Sequence, residues 1–394
     1  MRIYYRLLIY SIVLLLVFIP WLAWETDSNQ VRRWLYPAQG QLAAWSTRCD
    51  AQAPHWLDTL ARAMATAHDS PANQLAFVTR SGAVSVCTNG WEGTPVLSPR
   101  LAPDTPMRLA SLSKIVSFMG LTAVPADQQA DWLDAPLVEV LGLPPPYADA
   151  RVGHIRVRDL LNHSAGFDRL KTEDPITRFQ NTRKQQRPWC PYDLGMLAHT
   201  RLDYAPGSRF AYHNLDYCLA AAAYEKRFGR SLWTALAEDF HLHDHGLAWL
   251  DQRDTPVAYN FMHAGLTSPD AGFVQRLDWY AARAPMGLTG NAGGLARFID
   301  AQRPLLALAQ SLRDDGIACD ARQLFACYDG FLNRVEVDGQ RLWQQGGYLY
   351  GMAALFVLDE AGNFIVWLGA GEGRPLTAAP QQVRQALLEN GGGS

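Results

Sequence analysis

Ser111-Leu112-Ser113-Lys114 sets a hydroxyl and an amine three residues apart. If Ser111 opens a helix, both side chains fall on one face, a turn apart. A serine hydroxyl is a weak nucleophile near neutral pH and needs a base beside it. A desolvated lysine, its pKa depressed, can take that proton. The start of a helix also turns backbone N–H groups toward a developing oxyanion. Alone, Ser-x-x-Lys arises by chance in many chains, and an ordinary helix with an exposed lysine accounts for it as well.

Two other constellations change that balance. Tyr212-His213-Asn214 follows Pro206-Gly207-Ser208-Arg209-Phe210. A phenol beside a Ser/Lys pair can act as phenolate or relay a proton to the leaving group. Asn214 can donate to a substrate carbonyl and also hold the lysine. Trp343-Gln344-Gln345-Gly346-Gly347-Tyr348 begins a predicted strand, where glycine lets backbone come close to a reacting carbonyl. The N–H of Tyr348 would then join that of Ser111 as an oxyanion hole. The candidate catalytic residues are therefore Ser111, Lys114 and Tyr212, with Asn214, Gln345, Gly347 and Tyr348 binding substrate. This chemistry calls for no cofactor and no metal.

Taken in this order, the motifs resemble those of the serine β-lactamases and penicillin-binding proteins. The resemblance is strongest to the branch with class C β-lactamases, D-aminopeptidases, D-alanyl-D-alanine carboxypeptidases and β-lactamase-like esterases. Leu133-Asp134-Ala135-Pro136, the run from Ile155 to Phe167 and the segment Phe210 to Gly229 extend it to about residues 56–389. The resemblance implies acyl transfer through a Ser111 acyl-enzyme, with an amide, a D-amino-acid peptide or an ester as substrate. A ligand-binding sensor or scaffold without turnover, and an acyltransferase, are the rival readings of the same motifs. One departure matters. The third motif is usually Lys-Thr/Ser-Gly, or His-x-Gly in this branch, and here it reads Gln345-Gly346-Gly347. An amide cannot supply a fixed cation for a substrate carboxylate. Esters and neutral amides are therefore expected to outrun cephalosporins, unless an arginine from the stretch 169–187 supplies the charge. The Glu-x-x-Leu-Asn pattern of class A enzymes is absent.

Other candidate sites are weaker. Asn162-His163-Ser164-Ala165-Gly166 lacks the first glycine of a nucleophile elbow, so Ser164 is a poor nucleophile and His163 reads as a structural loop residue. His241, His243 and His245 alternate around Asp244, with no fourth ligand and no His-Glu-x-x-His helix, which favours an exposed loop over a metal site. Gly369, Gly371 and Gly373 have no helix start behind them to cradle a nucleotide. Among the aromatic residues, Trp189 and Tyr348 could line a cleft.

The elements that must position these residues follow from pattern. The chain has 394 residues, 48% hydrophobic and 19% charged, with a formal net charge of -3. That is ordinary globular composition without the basic footprint of nucleic-acid binding. Leu7 to Trp24 carry no charge, and at ~1.5 Å per residue they extend about 27 Å, enough for a bilayer core. Arg2 and Arg6 before the run, and Glu25 and Asp27 after it, orient the rest of the chain outward. The end of the run, Trp21-Leu22-Ala23-Trp24, lacks a small-residue cleavage pattern, which favours an uncleaved anchor over a signal peptide. The expectation is a single-pass protein of the cytoplasmic membrane, its catalytic domain periplasmic or extracellular, touching the bilayer and a small-molecule or peptide substrate. No protein partner is indicated.

Residues 1–24 read as transmembrane anchor, 25–54 as juxtamembrane linker, with Trp34, Leu35 and Tyr36 at the membrane surface, and 55–390 as the hydrolase domain. Gly391-Gly392-Gly393-Ser394 resembles an appended linker. Periodicity gives a helix over 55–68, then a hairpin around Ser81-Gly82. The stretch 107–310 is mostly helical in pattern. Strand character returns at 335–337 and 342–343, on either side of the turn Asp338-Gly339, and at 351–358 and 364–368, and a helix closes the chain at 381–389. The fold class is α/β (α+β): one antiparallel sheet built from both chain ends, flanked by helices, with a mostly helical insertion. Six cysteines, none in C-x-x-C, suit disulfides outside the cytoplasm. The expected pairs are Cys49–Cys87, Cys190–Cys218 and Cys319–Cys327, although sequence leaves other pairings and buried thiols open.

Overall fold

The computed structural model describes residues 2–67, 70–93, 95–172, 174–176, 187–250, 277–312, 317–322, 326–349, 352–370 and 378–391. Its frame is an eight-stranded sheet in the order β1-β3-β2-β11-β10-β9-β8-β7. The chain's first part supplies β1 (Arg48–Cys49), β2 (Ala72–Val78) and β3 (Val84–Gly90). Its last part supplies β7 (Tyr328–Asp329), β8 (Leu332–Val337), β9 (Gln340–Leu349), β10 (Met352–Asp359) and β11 (Phe364–Ala370). The two halves meet where β2 pairs antiparallel with β11, Leu75 opposite Trp367. The sheet from both chain ends is thus as expected. Every residue of β2, β10 and β11 is buried, because helices cover both faces.

The hairpins close on residues that tolerate left-handed backbone. Asp338 and Gly339, at φ 51° and 78°, form the two-residue turn between β8 and β9. Behind the sheet, helix α2 (His55–Ala67) and the closing helix Ala378–Asn390 pack Leu57, Met64, Val383 and Leu387 onto Leu75, Leu355 and Val357. In front, the larger core holds the inserted helices. The insertion also contains a small sheet that periodicity did not announce: β4 (Met107–Arg108), β5 (Ala248–Trp249) and β6 (Leu288–Gly290), in the order β4-β6-β5. Its strands are two or three residues long, too short for an alternation to register.

The N-terminal segment departs from expectation beyond the apolar run. Helix α1 extends over Arg2–Trp45, so the proposed linker 25–54 is helical for most of its length. Tyr4–Leu22 is apolar and long enough to cross a membrane and is not packed on the rest of the chain. The far end of α1 belongs to the folded domain. Ala43 and Ala44 pack on Ala65, Arg62 Nη1 donates to the Ala44 carbonyl at 2.8 Å, and Ser46 Oγ accepts from Gly90 N at 2.7 Å. Tyr36, expected at the membrane surface, is instead buried in the main core, while Leu35 is exposed. The side chain of Trp34 lies outside the described residues. Gly391, grouped above with an appended linker, is buried, and its carbonyl accepts from Asn363 Nδ2 at 2.9 Å.

All six cysteines are paired: Cys49–Cys87, Cys190–Cys218 and Cys319–Cys327, with Cα separations of 4.1, 6.2 and 5.4 Å. Free thiols are therefore ruled out. The first bond joins facing residues of β1 and β3. The second fastens the helix that carries Asn214 (Asn214–Phe228) to the segment before it. An apolar N-terminal helix, common to anchors and export signals, together with three disulfides, fits a secreted or membrane-anchored extracytoplasmic domain.

Candidate active site

Ser111 lies in a single 3₁₀ turn, Ala110–Leu112, that runs directly into helix α3 (Ser113–Thr122). Ala110 holds a left-handed φ of 48°, strained for a residue with a Cβ. The flanking chain is fixed by Leu109 N donating to Leu288 O at 2.9 Å and Leu112 N to Leu109 O at 3.0 Å. Deeper in α3, Ser117 Oγ donates to Ala284 O at 2.8 Å, and Ser113 Oγ accepts from Leu288 N at 3.0 Å. These bonds fasten the nucleophile's helix to the helix Trp279–Met286 and to β6.

Lys114 is fully buried one turn from Ser111, its Nζ 3.5 Å from Ser111 Oγ. Nζ also donates to Asn214 Oδ1 at 2.8 Å, to Pro285 O at 3.0 Å and to the Tyr212 hydroxyl. The Tyr212 hydroxyl lies 2.8 Å from Ser111 Oγ and 3.2 Å from Asn214 Oδ1. The four residues named from two motifs about a hundred positions apart therefore form one hydrogen-bonded group. Asn214 is itself oriented by Asp174, whose Oδ2 accepts from Asn214 Nδ2 at 2.7 Å, leaving the amide oxygen for the lysine.

Burial sets the charges. It pushes the Lys114 amine well below its ordinary pKa; Asp174 opposes the shift and Arg169 adds to it. It pushes the Tyr212 phenol above its ordinary range, with the bond to Ser111 only partly opposing. The lysine therefore tends toward the free amine while the phenol keeps its proton. Under the Tyr212 ring, at 4.5 Å between centroids, lies the buried His163, whose Nδ1 is 2.7 Å from Asp216 Oδ2. Burial lowers the histidine well below its usual value and raises the aspartate well above its own, so it disfavours the charged form of each.

The opposite wall is β9. Gly347 stands against the nucleophile: a Cβ there would fall 2.9 Å from Leu109 O and 3.1 Å from Ser111 N. Gln345 Nε2 donates to Ser111 O at 3.3 Å, so the amide steadies the nucleophile's backbone. Strand β8 pairs with β9 only as far as Gln344, which leaves Gln345–Leu349 bordering the cleft. Ser111, Tyr212, Gln345, Gly347, Tyr348 and Arg169 line a cavity of about 330 Å³. Tyr348 is partly exposed at its mouth.

A model of the Beta-lactamase family matches residues 62–388. The chain belongs to the Beta-lactamase family. It is 32% identical over 345 residues to a Dichelobacter nodosus protein named "Probable fimbrial assembly protein FimD, serogroup H1", covering 84% of this chain and 83% of that one. Among solved structures it resembles the octameric penicillin-binding protein homologue from Pyrococcus abyssi (TM-score 0.63, 17% identity, 85% of this chain and 77% of that one). It also resembles the D-amino acid amidase of Ochrobactrum anthropi SV3 complexed with D-phenylalanine (TM-score 0.61, 18% identity, 85% and 99%). At these identities the solved structures speak for the fold alone.

Of the rival sites, the Ser164 nucleophile falls away on position. Ser164 is buried and its Oγ faces the Asp159 carbonyl at 3.4 Å. Among the described residues, no three His, Cys, Asp or Glu side chains are placed to hold a metal ion, and the alternating histidines sit around a short turn, Leu242–His245. Gly371 and Gly373 lie outside the described residues. Trp189 packs on the main core and does not line the cleft. Sequence reasoning missed Asp174, Asp216 and the Pro285 carbonyl, none of which sits in a recognisable pattern. Arg169 lies at the edge of the stretch from which a compensating cation was expected.

Proposed function

We propose that this protein is a membrane-anchored, extracytoplasmic serine hydrolase that works through a Ser111 acyl-enzyme. The buried contact of Lys114 with Ser111, Tyr212 and Asn214 carries this reading. Lys114, as free amine, takes the Ser111 proton, directly or through the Tyr212 hydroxyl, while Oγ bonds to the substrate carbonyl carbon. The amides of Ser111 and Tyr348 receive the oxyanion. Tyr212 then hands a proton to the leaving nitrogen or oxygen as its bond to carbon breaks, and is reprotonated from Lys114. Water attacks the ester, Lys114 again accepting the proton and passing it to Ser111 Oγ as the acyl–oxygen bond breaks, and the acid departs. Gln345 borders the bound carbonyl group, whereas Asn214, expected to touch substrate, is buried behind the cleft and holds Lys114. The substrate is an amide, a D-amino-acid peptide or an ester.

The test is turnover of p-nitrophenyl esters and D-amino-acid amides by the folded chain. Burst release followed by steady turnover, lost in Lys114→Ala, is expected. Binding without release would establish a sensor, and transfer to an added amine in preference to water an acyltransferase.

Placement rests on the apolar helix, the flanking charges and the disulfides. The relationship to a protein named for fimbrial assembly supports work outside the cytoplasm. A reporter fused after residue 390 should be active only there, and the isolated protein should retain its first residues. A mature N-terminus between residues 22 and 50 would refute the anchor and leave export standing.

A further inference from the structure

His163 and Asp216 are buried beneath the reacting groups, and the chemistry proposed above uses neither. Neither of them lines the cleft. The imidazole is the hub of three phenols. Its centre lies 4.5 Å from that of the Tyr212 ring, 5.5 Å from Tyr217 and 5.4 Å from Tyr328. Its backbone is engaged as well. His163 holds a left-handed φ of 55°, and its carbonyl accepts from Ala211 N, beside Tyr212, at 2.7 Å. Asp216 stands in the first turn of the helix that begins at Asn214. Through its carbonyl, its ring face and Nδ1, His163 thus holds the chain just before Tyr212, the Tyr212 ring itself and the helix just beyond it.

The hydrogen bond of the pair has a direction. His163 Nδ1 lies 2.7 Å from Asp216 Oδ2, and it also accepts from the backbone N–H of His213 at 3.5 Å. An imidazole nitrogen that accepts carries no hydrogen, so the hydrogen between the two side chains belongs to the carboxyl. Burial, which disfavours the charged form of both groups, agrees. A carboxyl in this place can act on the site in two ways. It can draw Lys114 toward ammonium by a negative charge, or it can fix the plane of the ring on which Tyr212 rests. Tyr212 has little slack: its hydroxyl stands 2.8 Å from Ser111 Oγ while it also accepts from Lys114 Nζ. We propose that Asp216 and His163 are positioning residues, the carboxyl setting the imidazole by donating to Nδ1 and the imidazole face setting the Tyr212 hydroxyl between Ser111 and Lys114. The effect on rate rests on the acyl-enzyme reading; the effect on the place of Tyr212 does not.

The experiment compares Asp216→Ala with Asp216→Asn on a neutral p-nitrophenyl ester, rates taken per folded molecule. The asparagine amide can donate to His163 Nδ1 as the carboxyl does, and alanine cannot. Asp216→Ala should lower kcat by about ten- to a hundredfold, the scale of a displacement of about 1 Å at a reacting centre, with KM little changed. Asp216→Asn should regain most of that loss. The pH profile isolates a charge. Lys114 is faced by the Tyr212 and Tyr217 rings, by His163, and by Asp174, Asp216 and Arg169. Removing a negative charge at residue 216 would lower the lysine's pKa and carry the acid limb of kcat/KM to lower pH; replacing an uncharged carboxyl leaves the limb in place, which is the expected result. A loss in Asp216→Asn as large as in Asp216→Ala, or a limb displaced to lower pH, overturns the proposal, and the asparagine variant decides this even where Asp216→Ala fails to fold. Crystal structures of the variants separate this inference from the acyl-enzyme reading. A Tyr212 hydroxyl drawn away from Ser111 in Asp216→Ala and in place in Asp216→Asn, with no turnover by the wild type, would sink the acyl-enzyme and leave the positioning pair. Turnover through Ser111 with Tyr212 unmoved in Asp216→Ala would do the reverse.

Discussion

The two faces of the sheet are built on opposite terms. Behind it, α2 and the closing helix bury Leu57, Leu60, Met64, Val383 and Leu387 against Leu75, Leu355, Val357 and Ile365, a cluster of apolar side chains. In front of it, Lys114, His163, Asn214 and Asp216 are all buried within the larger core, hydrogen-bonded to one another or to backbone. Burying such groups costs free energy unless each finds a partner. The back face therefore contributes stability through transfer of apolar surface, and the front face uses some of that stability to hold a lysine as free amine. Function and stability should separate cleanly under mutation, and the following outcomes test that.

The largest effect is expected at Ser111. Ser111→Ala should reduce turnover on the order of a thousandfold or more, with little change in melting temperature, since only one half-buried hydroxyl is lost. Leu57→Ala is its mirror image: about 2–5 kcal/mol of stability lost in denaturant titration, with the rate per folded molecule retained. A change in that rate would break the comparison by showing that the back face positions the site.

Gly347→Ala comes next. The new methyl would meet the Leu109 carbonyl at 2.9 Å, so β9 must draw away from Ser111. Turnover should fall on the order of a hundredfold, as for displacements of about 1 Å at a reacting centre, at nearly unchanged stability.

The smallest effect is in the pH profile. Lys114 acts as a base, so activity is present above its folded-state pKa and is lost as pH falls through it; burial has moved that value well below the lysine norm. Arg169 pushes it in the same direction by repelling the cation. Arg169→Gln should therefore move the acid limb of kcat/KM to higher pH, measured on a neutral ester. A limb that stays put would show that Arg169 is screened from Lys114.

The legible part of this site was the part written locally. Ser111 and Lys114 are a turn apart, and Tyr212 and Asn214 flank His213, the N-cap of one helix, so spacing alone carries their alignment. Gly347 was legible because only glycine fits so close an approach of strand to nucleophile. Asp174, Asp216 and the Pro285 carbonyl reach the site through tertiary packing from segments without a motif, and no periodicity encodes such meetings. The same holds for the fold. Long apolar runs such as Met352–Asp359 announced themselves, whereas the two-residue strands of the small sheet did not. Residues 25–45 read as linker because they are polar in part, yet the helix continues through them and Tyr36 is drawn into the core.

The central claim is that Ser111 becomes covalently acylated. It is tested most directly by intact-mass and peptide mass spectrometry of the folded protein after exposure to a fluorescent phosphonate. One adduct per chain, located on Ser111, absent from Ser111→Ala and formed far more slowly in Lys114→Ala, is the predicted result. Undiminished labelling of Ser111→Ala, or an adduct on Ser164 in its place, would contradict it.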